Sequence, residues 1–197
     1  MSKLRGPEIW PKKEKKMNKT KNMTKTIVGS ALLIALTVVF TFISNNVQIV
    51  PGVGINLSLI TIALAGILYG WKSGLLVGLV NGAIVMIGAA FFFAANPYAT
   101  PFICLLKSGL AGLISALLFA VISKKNVHVA VFVSCIVVPL INTGIFMGAS
   151  YLFFPKEFFL AYCIPSIWNF LLEIGISIIL SPSVYYIIKV VEKRYEK

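Results

Sequence analysis

A single lysine, Lys107, lies within an otherwise apolar stretch at residues 101–121 (PFICLLKSGLAGLISALLFAV). Placing an ammonium group at the centre of a lipid bilayer costs roughly 2.5–3.5 kcal/mol, so intramembrane lysines usually face a partner or a wet cavity. A carboxylate suits such a cation, because opposite charges attract more strongly in a low-dielectric interior. We therefore expect Lys107 to lie in a ligand cavity and to bind an anion.

Other polar side chains fall at similar depths in the neighbouring apolar stretches. With a helical rise of about 1.5 Å per residue, Lys107 is roughly 10 Å below the outer surface, and Asn142 and Asn169 are roughly 15 Å below it. Glu173 follows Asn169 by four residues and shares its helix face. We expect these four side chains to form a substrate-binding layer. An aromatic and polar rim is expected from Trp168, Asn96 and Tyr98.

Structural roles stay open as alternatives for the same residues. Lys107 and Glu173 could form an ion pair that locks their two helices together, since intramembrane charges commonly pair with one another. Asparagines could instead hydrogen-bond between helices, and for Asn81 we prefer that role. Asn96 precedes Pro97, and an Asn-Pro pair favours the start of a turn.

The composition indicates a membrane protein, since 58% of the 197 residues are hydrophobic, 12% are charged and the mean hydropathy is +0.92. Apolar segments near the length of about 20 residues that a membrane helix needs occur at residues 26–44, 53–70, 72–93, 101–123, 127–153 and 158–189. We expect an all-α, polytopic bundle of six transmembrane helices over residues 26–190. A basic tail at 1–25, expected to be disordered, precedes this domain, and a short tail at 191–197 follows it.

The positive charges are distributed unevenly along the chain. All but two of the 18 lysines and arginines fall in the two tails or in the turns after the second and fourth segments; the exceptions are Lys107 and Lys156. Since segments rich in these residues stay cytoplasmic, both termini are predicted to be cytoplasmic and the protein is expected in the cell membrane. The net charge of +12 does not indicate nucleic-acid binding, because the lysines do not form a water-facing binding surface.

Small residues recur four positions apart in several segments. The pairs are Ala31/Ala35, Gly66/Gly70, Gly74/Gly78, Gly78/Gly82 and Gly144/Gly148. Such pairs let helix backbones approach closely, and for most of them we expect packing inside the bundle.

The residue types argue against catalysis. The chain has no aspartate, a single histidine (His128) at the cytoplasmic end of its segment, and no arginine within the apolar segments, whereas membrane hydrolases need such groups. The three cysteines lack metal-ligand spacing. A stand-alone secondary transporter is the main alternative to a binding subunit, although the chain shows no clear inverted repeat. A membrane-embedded enzyme is less favoured.

Three stretches resemble the substrate-binding S components of energy-coupling factor (ECF) vitamin transporters. They are PGVGINLSLITIALAGILYGWKSGLLVGLVNG at 51–82, CLLKSGLAGLISALLF at 104–119 and PLINTGIF at 139–146. The likeness extends over about residues 26–189, with Trp71 in a position where many relatives have proline. The resemblance implies a pocket open to the outside, walled by the outer parts of the last three helices and closed by the loop at 44–54.

The first segment contains a further point of resemblance. Ala31 and Ala35 in ALLIA are similar to the AxxxA signature of the family, whose small face docks on a transmembrane T component. That component couples to two cytoplasmic ATPases, so the resemblance implies that ATP is used by the partners and that this chain carries no cofactor. The implied mechanism is capture of the vitamin, followed by toppling of the S component in the membrane.

The expected substrate is a small, water-soluble and anionic vitamin. A lone lysine disfavours the cation thiamine. Pantothenate is the best match, because Lys107 would pair with its carboxylate while Asn142 and Asn169 would bind its hydroxyl and amide groups. Folate, biotin and riboflavin stay open.

Overall fold

The structure, a computed structural model, describes residues 16–46, 48–50 and 53–195. Its helices are α1 Lys16–Asn46, α2 Leu59–Tyr69, α3 Trp71–Gly88, α4 Ala90–Ala95, α5 Ala99–Ile122, α6 Val127–Phe153, α7 Lys156–Phe158 and α8 Ser166–Tyr195, with a π-helical turn at Phe159–Cys163. A short antiparallel hairpin, β1 Gln48–Val50 and β2 Val53–Gly54, separates α1 from α2. The predicted helical membrane fold is thus confirmed, and the hairpin is an addition that the apolar pattern did not indicate.

Five stretches of the described chain are long and apolar enough to cross a membrane: Met23–Ser44, Trp71–Gly88, Ala99–Ile122, Val127–Phe153 and Lys156–Val191. The second predicted segment forms α2, which has only 11 residues and extends about 16 Å. Its side chains are nevertheless the most deeply buried of the bundle, with Ile62 and Ala65 fully covered. Because the other helices shield α2, its length need not match the bilayer.

Segment boundaries differ from the prediction at both ends, in the third segment, which divides into α3 and α4 at Ala89, and in the last segment. α1 begins at Lys16, so residues 16–25 of the predicted tail are helical, while residues 1–15 lie outside the described part. Residues 196 and 197 of the carboxyl tail also lie outside it. The sixth predicted segment is broken just before α8 by Pro165, which lacks a backbone N–H to continue a helix.

α3 and α5 pack backbone to backbone. A Cβ added at Gly78 would lie 2.3 Å from the carbonyl oxygen of Ser108, and one at Gly82 would lie 2.5 Å from that of Cys104. Such an approach requires glycine, since any side chain would overlap the facing carbonyl group. Lipid tails offer no hydrophobic drive for association, so close van der Waals packing of this kind holds membrane helices together. The expected internal packing is confirmed for these glycines.

The glycine pair on α6 behaves differently. A Cβ added at Gly144 or Gly148 would have no atom within 4 Å, and both residues are exposed on the described bundle. The expectation of internal packing is therefore wrong for this pair, because the face of α6 that carries it points away from the neighbouring helices.

α1 is attached to the bundle by hydroxyl groups. Three hydrogen bonds join α1 to α2 and α3: Ser30 to Ser73 at 2.9 Å, Thr37 to Thr61 at 2.6 Å, and Thr41 to Asn81 at 3.0 Å. These serine and threonine residues are buried, whereas large apolar side chains such as Leu32 (67% exposed) and Phe42 (71% exposed) cover the opposite face. In lipid the polar stripe faces the protein and the apolar face remains available.

Replacing Gly78 by alanine is expected to lower the melting temperature of the detergent-solubilised protein by roughly 2–12 °C, because overpacking costs about 1–3 kcal/mol. Unfolding can be followed with a thiol-reactive dye, since Cys104, Cys135 and Cys163 are buried. Gly144→Ala is the matched control and should leave the melting temperature unchanged. An equal loss in both variants would contradict the packing that we describe for α3 and α5.

Candidate functional site

Lys107 lies two turns into α5 and borders a cavity of about 40 Å³. We call it the Lys107 cavity. Its wall includes Val85 of α3, Phe92 of α4 and Phe146 of α6, so four helices contribute. A cavity of this size has room for a few water molecules, and a larger ligand must widen it.

The ammonium group of Lys107 contacts an aromatic ring. Its Nζ atom lies 5.0 Å from the centroid of the Phe146 ring, a distance at which the ring face attracts a cation. Within the described part of the chain no carboxylate lies within 4.0 Å of this lysine, although Glu173 is near enough for Coulombic attraction. The alternative of a contact ion pair between Lys107 and Glu173 is therefore absent from this structure.

Aromatic rings form part of the wall of the Lys107 cavity and continue next to it. Phe92 meets Phe146, Phe154 and Phe158 edge to face, with ring centroids 5.7, 5.8 and 5.4 Å apart. Phe158 stacks on Phe154 at 4.9 Å. These rings come from α4, α6, α7 and the residue after α6. Edge-to-face pairs contribute about 0.5–1.5 kcal/mol beyond the area that they bury, so they hold the ends of these helices together.

Glu173 of α8 is hydrogen-bonded to polar groups outside the Lys107 cavity. It is only 4% exposed, and its Oε1 atom accepts hydrogen bonds from the backbone N–H of Asn56 and from Nδ2 of Asn169, both at 3.0 Å. Its Oε2 atom is buried without a hydrogen-bond partner. Since an unsatisfied buried polar oxygen is costly, this atom retains the capacity to accept a further hydrogen bond.

The chain just before α2 is tied down by side chains from two helices. Besides the bond from Asn56 to Glu173, the backbone N–H of Leu57 donates to Oγ of Ser44 in α1 at 3.1 Å. Glu173 and Ser44 thus connect α8 and α1 to the segment between β2 and α2, which directly follows the loop at 44–54 that was predicted to close the pocket. Residues 47, 51 and 52 of that loop lie outside the described part of the chain.

A buried hydrogen-bond network connects five elements through Asn81, which is 0% exposed. Its Oδ1 atom accepts from the hydroxyls of Thr41 and Ser58, and its Nδ2 atom donates to Oγ of Ser108 at 3.1 Å. Ser108 in turn donates to Oδ1 of Asn142 at 3.4 Å. The preferred interhelical role of Asn81 is confirmed, because a buried amide in lipid must find partners within the protein.

The structure brings together part of the predicted site. Asn169 and Glu173 share a hydrogen bond on α8, and Asn142 is reached through Ser108, the residue next to Lys107. All three are buried, with 7%, 4% and 4% exposure for Asn169, Glu173 and Asn142 respectively. A chain of hydrogen bonds through Asn56, Ser58, Asn81 and Ser108 connects Glu173 to Asn142. None of the three residues lines the cavity that Lys107 borders.

The predicted rim residues have other positions. Trp168 is 69% exposed and Tyr98 is 90% exposed, so neither side chain lies in the Lys107 cavity. Asn96 accepts from the backbone N–H of Ala99 at 3.0 Å and donates to the carbonyl of Phe153 at 3.0 Å. Its amide thus starts α5 and joins it to the end of α6, which is the turn role left open for this residue.

Ala31 and Ala35 lie on the outward face of α1, and both are exposed. Their neighbours on this face are apolar, including Leu32 and Phe42. The two alanines form a shallow, uncharged strip at helix spacing, which suits close approach of another membrane helix.

Sequence reasoning missed the aromatic wall and the Ser108 link. A signal was present for one of them, since Phe146 follows Asn142 by one helical turn and so shares its face. No sequence pattern indicated that Phe92 contributes to the cavity wall, because its position depends on how α4 packs against the other helices. No cluster of histidine, cysteine or acidic residues that could hold a metal ion occurs among the described residues.

Replacing Asn81 by leucine is expected to lower the free energy of unfolding by about 1–3 kcal/mol. The reason is that three hydroxyl groups are hydrogen-bonded to the Asn81 amide and would lose this partner. Asn142→Leu is the matched control, because it removes only the 3.4 Å bond from Ser108 and should cost less. Thermal unfolding of the ligand-free protein in detergent measures both. A larger loss for Asn142→Leu would show that Asn81 is not the centre of the network.

Comparison with known proteins agrees with these features. Residues 25–185 match the family described as ECF transporter, substrate-specific component. Comparisons with curated proteins and with solved structures found no match. Since the family match covers most of the 197 residues, the chain belongs to the substrate-specific components of ECF transporters, membrane subunits that work with a T component and ATPases and are not enzymes.

Proposed function

We propose that this chain captures a small water-soluble vitamin, preferentially an anionic one, and presents it to an ECF module. Pantothenate is the first candidate, followed by folate, biotin and riboflavin. The observation that carries the proposal is the ammonium group of Lys107, which borders a cavity and has no carboxylate of the described residues within 4.0 Å. A ligand carboxylate would supply the missing counter-charge.

The surroundings of Lys107 support an anion. Its contact with Phe146 is a cation–π interaction, which is weaker than a charge-assisted hydrogen bond to a carboxylate. The interaction of Lys107 with an incoming anion is therefore stronger than its interaction with the Phe146 ring. The partial burial of Lys107 strengthens this attraction, because water screens it less.

Glu173, Asn142 and Asn169 supply the polar part of the proposed site. The Oε2 atom of Glu173 lacks a partner and would accept a hydrogen bond from a ligand hydroxyl or N–H group. Pantothenate carries both kinds of donor as well as a carboxylate. Trp168 and Tyr98 are exposed, and Asn96 is engaged in the turn before α5. These three residues would therefore act at most at the entrance of the site.

We further propose that the chain crosses the plasma membrane six times and that α2 is the short, shielded crossing. Both termini would then lie in the cytoplasm. The charge distribution supports this orientation, since nearly all lysines and arginines would then face the cytoplasm. The Lys107 cavity would lie toward the outer surface.

The face of α1 that carries Ala31 and Ala35 is the proposed docking surface for the T component. Both alanines are exposed on an apolar helix face, so a partner helix could approach without displacing any side chain of the bundle. ATP would be hydrolysed by the ATPase partners, and this chain would need no cofactor of its own.

Replacing Lys107 by methionine is expected to weaken binding of the vitamin about 10- to 100-fold, because a hydrogen bond to a charged group contributes about 1.5–3 kcal/mol. Calorimetry on the detergent-purified chain with a panel of vitamins measures the effect. Lys156→Met is the matched control, since it removes an exposed lysine outside the cavity. Unchanged affinity in Lys107→Met would exclude the proposed anion site.

Replacing Ala31 or Ala35 by tryptophan is expected to abolish ATP-driven vitamin uptake and to leave binding in detergent unchanged, because the bulky side chain holds the T component away from α1. Uptake into cells or proteoliposomes containing the complete ECF module provides the measurement. Gly144→Trp on the exposed face of α6 is the control and should leave uptake intact. Uptake by the chain without ATPases would instead support a stand-alone transporter.

A further inference from the structure

The Lys107 cavity offers very few polar groups. Lys107 is the only strong hydrogen-bond donor among its lining residues. Thr100 also lines it, but its single hydroxyl hydrogen is directed at the backbone carbonyls of Phe92 and Asn96, at 2.9 and 2.8 Å. Cys104 provides only a weak S–H donor. A ligand group in this cavity therefore finds one cation, the already bonded Thr100 hydroxyl and the weakly polar Cys104 thiol, and otherwise hydrocarbon.

The remaining wall is apolar on several sides. It is formed by the rings of Phe92, Phe146 and Phe154 and by the aliphatic side chains of Val85 and Ile103. These residues come from α3, α4, α5, α6 and the residue after α6, so the apolar surface lines the cavity on several sides. Any polar substituent close to the bound anion would be desolvated against this wall.

The cavity is also small. Its volume of about 40 Å³ matches a few water molecules, which is enough for one end of a ligand and too little for a whole vitamin. The ligand end that fits must place its charge against Lys107 and its adjoining carbons against the aromatic rings.

We propose that the Lys107 cavity selects the carboxylate end of an alkanoic acid whose α-carbon, the carbon bonded to the carboxylate, carries no hydroxyl or amino group. This inference rests on the proposed function and narrows its substrate class. The β-alanyl end of pantothenate and the alkanoate chain of biotin both satisfy it. Amino acids and 2-hydroxy acids do not, because their extra polar group would be desolvated against apolar side chains with at most the already bonded Thr100 hydroxyl as a partner. Poorly satisfied burial of this kind typically costs about 10- to 100-fold in affinity.

The first test compares acids with their neutral counterparts. Calorimetry on the full chain in detergent uses pantothenate against pantothenol and biotin against biotinamide. At least one acid is expected to bind, and its neutral counterpart should bind at least tenfold more weakly. Equal affinity within each pair would overturn the inference. If riboflavin or thiamine binds and neither acid does, the inference fails while the role as a substrate-binding subunit stands.

The second test examines the carbon beside the carboxylate. Pentanoate and 2-hydroxypentanoate are compared as competitors of the bound vitamin, and pentanoate is expected to compete at least fivefold better. In Val85→Thr, which adds a hydroxyl to the cavity wall with little change in shape, this ratio should fall severalfold. Val129→Thr on the exposed face of α6 is the matched control and should keep the ratio of the unaltered protein.

Two results of this test would contradict the inference. One is equal competition by the two acids in the unaltered protein, and the other is an unchanged ratio in Val85→Thr. If no vitamin binds and the complete ECF module shows no ATP-dependent uptake, the proposed function itself fails together with the inference.

Discussion

The backbone contact between α3 and α5 is the constraint on which the rest of the bundle depends. Gly78 and Gly82 bring α3 against the carbonyl groups of Ser108 and Cys104, and this closeness allows Asn81 of α3 to reach Ser108 directly. Lys107, next to Ser108, is placed beside the cavity by the same contact. In a bilayer, where apolar side chains gain nothing by leaving lipid, such packing and buried hydrogen bonds must supply the cohesion.

The separation of Lys107 from Glu173 is the second determining feature. Opposite charges in a low-dielectric interior attract strongly, yet these two are not in contact, because Glu173 is bonded to Asn56 and Asn169 and Lys107 lies against the ring of Phe146. Each charge therefore retains unsatisfied capacity. A site of this kind favours a ligand that brings an anion to one residue and a donor to the other, in keeping with the proposed vitamin.

α1 has two faces that serve different contacts. Its serine and threonine stripe bonds to α2, α3 and the loop before α2, whereas its outward face is apolar and includes Ala31 and Ala35. The inner bonds fix α1 to the bundle without using its apolar surface. That surface is consequently available to the T component with which members of the family work, and Ser44 connects the same helix to the loop near Glu173.

The sequence by itself was sufficient for the membrane class, the apolar helices and the close packing of Gly78 and Gly82, because hydropathy and residue spacing act locally along the chain. The family followed from the resemblance of three stretches of sequence and from the family match. The sequence also brought Asn169 and Glu173 onto one helix face. Only the tertiary structure decided that α2 is short and central, that Gly144 and Gly148 face outward, that Trp168 and Tyr98 are exposed, and that phenylalanines enclose Lys107. These features depend on how helices rotate and fold back against one another, which is set by contacts between residues distant in sequence and not by periodicity within one segment.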